Sequence, residues 1–170
     1  LELRPDVIAE VAGHSALKAY GPTILRSQSD LVIVSVGALA DQDFFNELQA
    51  AASATGRTVE IVAGAIGALD AIAAATVDGL DGVTYLVRRP PDQRLPQVTS
   101  DNLPAETEIF SGSAREAALR FPETLNAAAA LGFAGLGLDR TEVRVVVDPT
   151  VDGIYHEIVA TGRFGQLSMS

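Results

Sequence analysis

The chain has 170 residues, enough for one ordinary domain or two small ones that bury a core without covalent staples. It contains no cysteine, which excludes disulfides, thiolate metal sites and thiol nucleophiles. With 22 acidic and 12 basic residues the net charge is -10, which argues against nucleic acid and anionic membranes as partners, and 48% hydrophobic residues exclude general disorder.

The chain opens Leu1-Glu2-Leu3-Arg4-Pro5, without an initiator methionine or the basic and apolar regions of a signal peptide. The apolar stretches 59–75 and 127–138 fall short of a membrane helix, so a soluble, cytoplasmic protein is expected. Residues 6–12 (DVIAEVA) read as a short strand and 14–26 as a helix with a proline at position 22. Residues 30–36 (DLVIVSV) form a nearly unbroken apolar run, as in a parallel strand covered on both faces. Asp41 is placed to cap a helix over 42–54, which Thr55-Gly56 ends. Residues 57–62 (RTVEIV) give a third strand, followed by Ala63-Gly64-Ala65 and a helix over 67–75. Strands alternating with helices through short glycine-marked joints predict parallel βαβ units.

Beyond Gly79 the pattern changes. Residues 82–89 (GVTYLVRR) alternate as a strand that Pro90-Pro91 ends, and 92–106 read as a surface excursion. A short strand over 108–111 and a helix over 113–120 follow, and Pro122 is placed to open another helix running to about Gly135. Residues 142–148 (EVRVVVD) and 155–162 (YHEIVATG) are strong strands, expected to pair as an antiparallel hairpin through the loop 149–154. The predicted class is α/β. Residues 1–78 read as the C-terminal half of a Rossmann-type parallel sheet, and residues 79–170 as an α+β catalytic domain incomplete at its C-terminus. The N-terminal glycine-rich βαβ unit is expected outside these residues. No G-x-G-x-x-G or Walker loop occurs, and Gly132, Gly135 and Gly137 read as packing or C-cap glycines.

Ligands of open α/β sheets sit beyond the carboxyl ends of the strands. The three joints there, around Ala12-Gly13, Gly37-Ala38 and Gly64-Ala65, carry small residues that either admit a flat ring to the backbone or simply close tight turns. His14 follows the first of them as a catalytic group, a helix-capping residue or a solvent-facing one. His156 starts a strand after a glycine-containing loop, either as a proton-exchanging group near neutral pH or as an exposed strand residue. With two histidines and no H-E-x-x-H spacing, no metal site is expected. Asn126 precedes four alanines, so its amide is the polar group of a close-packed helix end and a candidate for a ligand amide or carboxylate. Arg115 either clamps a carboxylate or pairs with Glu116 or Glu123, and Asp148 either starts a turn or faces a cleft.

Four stretches carry a pattern: DLVIVSVGALAD (30–41), AGAIGALDAI (63–72), SGSAREAALRFPETLNAAAALGFAG (111–135) and the VVVDP…HEI run (145–158). In order and spacing the chain resembles the L-aspartate dehydrogenase family, related in fold to homoserine dehydrogenase and dihydrodipicolinate reductase. The resemblance implies a Rossmann domain followed by an α+β catalytic domain. It also implies reversible oxidation of L-aspartate to iminosuccinate with NAD or NADP, in some members for NAD biosynthesis, and a homodimer. It places the catalytic histidine on His156 and the motif asparagine on Asn126, near nicotinamide and substrate. The cofactor-lining positions fall on Ala12, Gly13, Gly37, Ala38, Gly64 and Ala65, while Arg115 stays a candidate for a substrate carboxylate. Two departures stand out: Ile154 replaces the asparagine two positions before the histidine, and Val62-Ala63 replace a proline and a serine. They keep two alternatives open, a non-catalytic ligand-binding homologue and a dehydrogenase or imine reductase for another small amino acid.

Overall fold

A computed structural model describes residues 3–64, 66–91, 106–122 and 124–170. The chain forms two compact units, Leu1–Gly67 with Arg115–Leu131, and Ala68–Ala114 with Gly132–Ser170. The α/β class expected from the pattern is the one observed.

In the first unit the strands β1 (Val7–Glu10), β2 (Asp30–Ile33) and β3 (Val59–Ile61) form a parallel sheet in that order. The helix α1 (His14–Arg26) links β1 to β2 and packs against both, and against α2 (Gln42–Thr55). Gly21 permits that helix–helix approach, since a Cβ there would lie 3.1 Å from Cδ1 of both Leu17 and Leu48. Leu17, Leu25, Leu31 and Ile33 are fully buried, and each stabilises the unit by about 1.5–3 kcal/mol. After β2 the chain enters a 3-10 turn over Val36–Ala40. Asp41 caps α2 as expected, its Oδ1 accepting from Asp43 N at 3.2 Å and Phe44 N at 3.3 Å. Lys18 Nζ donates to Asp41 Oδ2 at 2.6 Å, and these bonds hold the carboxyl below its ordinary range.

In the second unit α3 (Leu69–Asp78) packs on β4 (Leu80–Arg89) and β7 (Tyr155–Gly162). With β5 (Thr107–Ser113), β6 (Thr141–Val147) and β8 (Gly165–Met169), these strands build a mixed sheet in the order β5-β6-β4-β7-β8. The expected hairpin between the strands at 142–148 and 155–162 does not form. β6 runs parallel to β4 on one side, and β7 runs antiparallel to β4 on the other. Local sequence favoured neighbours, but the alternating Val83, Tyr85 and Val87 of β4 form a buried row that takes the central place. Asp148 N bonds to Arg89 O at 2.9 Å and Asp148 then starts a turn, steering the connection past the end of β4. β8 was not expected, because GQLSM is short and has no β-branched residues, although its polar and apolar residues alternate. It pairs with β7 through the two-residue turn Arg163-Phe164, with Gly165 at φ +102°.

The remaining helices are α4 (Ala114–Arg120) and α5 (Asn126–Ala134). Pro122 does not open α5. It occupies the second position of a turn in which Thr124 N bonds to Phe121 O at 3.1 Å, a place that suits its fixed φ. Gly132 and Gly137 are packing and turn glycines: Gly137 N donates to Gly132 O at 2.8 Å, and a Cβ on Gly132 would lie 2.9 Å from Leu138 Cδ2. The excursion expected over 92–106 lies outside the described residues except for Glu106.

Candidate functional site

In the first unit, polar groups gather at the carboxyl edge of the parallel sheet. Glu10, the last residue of β1, is 7% exposed. Its Oε1 accepts from Ala12 N at 2.7 Å, Gly13 N at 2.8 Å and Ser35 Oγ at 3.1 Å, and its Oε2 from Ser35 N at 3.2 Å. Charge-assisted bonds of this kind offset the cost of burying a carboxylate. The helix α1 has no side-chain cap and no acid in its first turn, so Glu10 supplies the negative charge that a helix N-terminus favours. One side chain thereby ties the joint after β1 to the joint after β2. Sequence reading missed it; the signal was a helix start without a capping side chain.

A second cluster joins His14, the first residue of α1, to Asn126, the first residue of α5. His14 Nε2 lies 2.8 Å from Asn126 Oδ1, and Gly37 N donates to the same oxygen at 3.0 Å. A Cβ on Gly37 would stand 2.7 Å from His14 Cε1 and 2.8 Å from Asn126 Oδ1, so only glycine fits without displacing both. Two of the cofactor-lining candidates, Gly37 and Asn126, therefore touch, and His14 joins them. Ala38, the neighbour of Gly37, is 2% exposed inside the 3-10 turn. Arg115 Nη1 donates to Ala40 O at 2.6 Å, closing the end of that turn.

Val11, Val34 and Val62 each directly follow a strand and remain 75%, 40% and 37% exposed. The pairings Glu10↔Ile33 and Ile33↔Ile61 align these positions across the sheet edge. Backbone bonds from Val34 N to Glu10 O at 3.2 Å and from Val62 N to Ile33 O at 3.1 Å extend the register to them. Gly13 at φ +100° and Gly64 at φ +67° adopt conformations that favour glycine, with open space where a Cβ would stand. Ala12 is exposed, and Ala65 lies outside the described residues.

In the second unit His156 sits opposite Val87, at the start of β7. Its Nδ1 lies 2.7 Å from the hydroxyl of Tyr85, and the two rings stack with centroids 5.9 Å apart at 9°. Tyr85 is fully buried, which pushes its hydroxyl above the ordinary tyrosine range and keeps it protonated. Burial also moves His156 below its ordinary value of 6.5, so the ring is neutral at neutral pH. With Nδ1 engaged, Nε2 is the atom left for proton exchange. Tyr85 is another residue that sequence reading missed, although a buried tyrosine needs a partner for its hydroxyl.

His156 lines a cleft of about 320 Å³ with Arg88, Tyr155 and Glu157 among its other walls. Arg88 Nη1 donates to Glu106 Oε2 at 2.7 Å and Asp148 Oδ2 at 3.1 Å. The Thr150 hydroxyl and N–H on Oδ1, at 2.6 and 2.8 Å, join Arg88 in holding the Asp148 carboxyl below its ordinary range. Asp148 thus serves the turn and the ion pair. Among the described residues no group of three or more His, Asp or Glu side chains is placed to hold a metal ion, and no helix is long and apolar enough to cross a membrane.

Residues 70–170 match the family described as aspartate dehydrogenase, C-terminal, and residues 1–61 match the homoserine dehydrogenase NAD binding domain. The L-aspartate dehydrogenase of Ralstonia nicotianae is 45% identical over 167 residues, covering 95% of this chain and 62% of that protein. The L-aspartate dehydrogenase of Pseudomonas aeruginosa is 42% identical over 172 residues, covering 98% of this chain and 64% of that protein. The crystal structure of aspartate dehydrogenase from Thermotoga maritima superposes with a TM-score of 0.82 at 27% identity, covering 96% of this chain and 66% of that one. The chain therefore spans just under two thirds of the length of these relatives. A single family matches more than half of its residues, at the end that carries His156, and the chain belongs to the aspartate dehydrogenase family.

Proposed function

We propose that the full-length protein oxidises L-aspartate to iminosuccinate with NAD or NADP, and that His156 exchanges the proton. The observation that carries this reading is a neutral, half-buried histidine whose Nδ1 meets the buried Tyr85 hydroxyl at 2.7 Å, in a member of this family. Oxidation of the amine breaks the C2–H bond, forms a C=N bond and releases a proton from nitrogen. The His156 Nε2 takes that proton, and the imidazolium donates from Nδ1 to the Tyr85 oxygen, which accepts equally well before and after transfer.

A nicotinamide dinucleotide, when bound, supplies the hydride acceptor. The residues present fit its ring end. The row of exposed valines offers apolar surface for a ring face, and the open space at Gly13 and Gly64 gives a sugar access to the backbone. Its proposed holders are Ala12, Gly13, Gly37, Ala38, Gly64, Ala65 and Asn126, within a dinucleotide-binding part over 1–78. Residues 79–170 are the proposed catalytic part. Arg115, whose Nη1 donates to Ala40 O, stays the proposed partner of a substrate carboxylate on the strength of its charge and fork-shaped donor set. A cytoplasmic homodimer that feeds NAD biosynthesis extends the same reading, on the strength of the family resemblance.

A second reading, a dehydrogenase or imine reductase for another small amino acid or a non-catalytic homologue, is favoured by Ile154, which is 48% exposed two positions before His156. Reduced-cofactor absorbance, followed on the full-length gene product with L-aspartate and either dinucleotide, separates these. Turnover with L-aspartate is expected. Its absence at high enzyme and substrate overturns the proposal, and activity confined to another amino acid selects the alternative enzyme.

A further inference from the structure

We propose that His14 is a positioning residue: with Gly37 it locks the Asn126 amide so that Nδ2 faces the ligand as a hydrogen-bond donor. The inference rests on the reading above, that this joint receives a nicotinamide ring and a dicarboxylic amino acid, and it assigns the polarity of the contact. The backbone N–H of Gly37 is a donor and nothing else. The amide atom 3.0 Å from it must therefore be the oxygen, which fixes the orientation of the Asn126 side chain.

That orientation dictates the state of His14. Its Nε2 lies 2.8 Å from the same oxygen and must carry hydrogen, so neutral His14 is the Nε2–H tautomer. Both lone pairs of Asn126 Oδ1 are then taken, one by Gly37 and one by His14. What remains is Nδ2 with two hydrogens on a half-buried side chain. Such a group selects an acceptor oxygen and disfavours an ammonium, which can only donate. Two sources offer that oxygen, the carboxamide of the nicotinamide ring and a carboxylate of the substrate. A Cβ on Gly37 would meet both His14 and Asn126, at 2.7 and 2.8 Å, which shows how closely the three groups are set.

The test uses the full-length protein with His14→Ala and His14→Gln, the latter able to restore an N–H to Asn126 Oδ1. If the ring carboxamide is the acceptor, His14→Ala weakens NADH binding about tenfold in fluorescence titration, the worth of one hydrogen bond. The deficit then shrinks with thionicotinamide dinucleotide, whose sulfur is a poor acceptor. If the substrate carboxylate is the acceptor, NADH binding is unchanged and the KM for L-aspartate rises about tenfold at saturating cofactor, with kcat little altered. In either case His14→Gln recovers most of the loss. Variants that fold and match the wild type in both constants overturn the proposal, and so does a Gln variant no better than Ala. The Nδ1–H tautomer of neutral His14, seen by imidazole ¹⁵N resonances, overturns it without reference to activity. A wild-type protein that neither binds dinucleotide nor turns over L-aspartate instead overturns the functional reading, and this proposal with it.

Discussion

The two units hold their polar groups in different ways. In the first, Glu10 and Asn126 are anchored mainly by backbone N–H groups of Ala12, Gly13, Ser35 and Gly37, joined by Ser35 Oγ and His14 Nε2. In the second, His156 is anchored by one side-chain hydroxyl, that of Tyr85 on the neighbouring strand, whose buried row also holds Val83 and Val87. Backbone donors cannot titrate and move only when the strand ends move, so they suit holding a ligand in a fixed pose. An imidazole paired with a hydroxyl can gain and lose a proton without losing its partner, so it suits chemistry. The contrast fits the proposal that the first unit binds and the second transfers the proton.

The largest way to break this assignment is His156→Ala. Removal of the proposed general base is expected to lower kcat by about 10²–10⁴-fold. Dinucleotide affinity, read by fluorescence titration, is expected to stay unchanged. Gly37→Ala should do the reverse. Its methyl group enters space held by His14 and Asn126, and overpacking of this kind costs about 1–3 kcal/mol, read as weaker NADH binding and a lower melting temperature.

Glu10→Gln sharpens the comparison on the structural side. It puts an amide N–H₂ where a carboxylate now accepts from backbone, and the unmatched donors should destabilise the protein by about 1–3 kcal/mol in urea unfolding. Tyr85→Phe is the smallest change, removing one hydrogen bond to Nδ1, and kcat is expected to fall by about five- to tenfold with cofactor affinity intact. The pH profile follows from burial: the base must be neutral, so kcat/KM falls as pH drops through the His156 value. That acid limb is expected below the ordinary 6.5.

Elements with a glycine marking at least one end were legible in sequence. The helix over His14–Arg26 follows Gly13, and the strand Tyr155–Gly162 lies between two glycine-containing turns; both appear as expected. Strand partnership was not legible, because β7 is joined to β4 across 71 positions, as the Tyr85–His156 bond illustrates, while the nearer β6 attracted the local reading. The site divided along the same line. His156, Asn126 and Gly37 stood out as residue types at strand and helix ends. Glu10 looked like an ordinary strand residue until Ser35, 25 positions away, met it. His14 gained its role only from Asn126, 112 positions away. Residue types announce chemistry locally, but the partners that fix their orientation come from chain reversals that no short window contains.

The central claim is the division of labour between the units, and equilibrium titration of NADH into His156→Ala and Gly37→Ala side by side tests it most directly. The account expects wild-type affinity in the first variant and weakened affinity in the second. Weakened binding in His156→Ala with undisturbed binding in Gly37→Ala would contradict it.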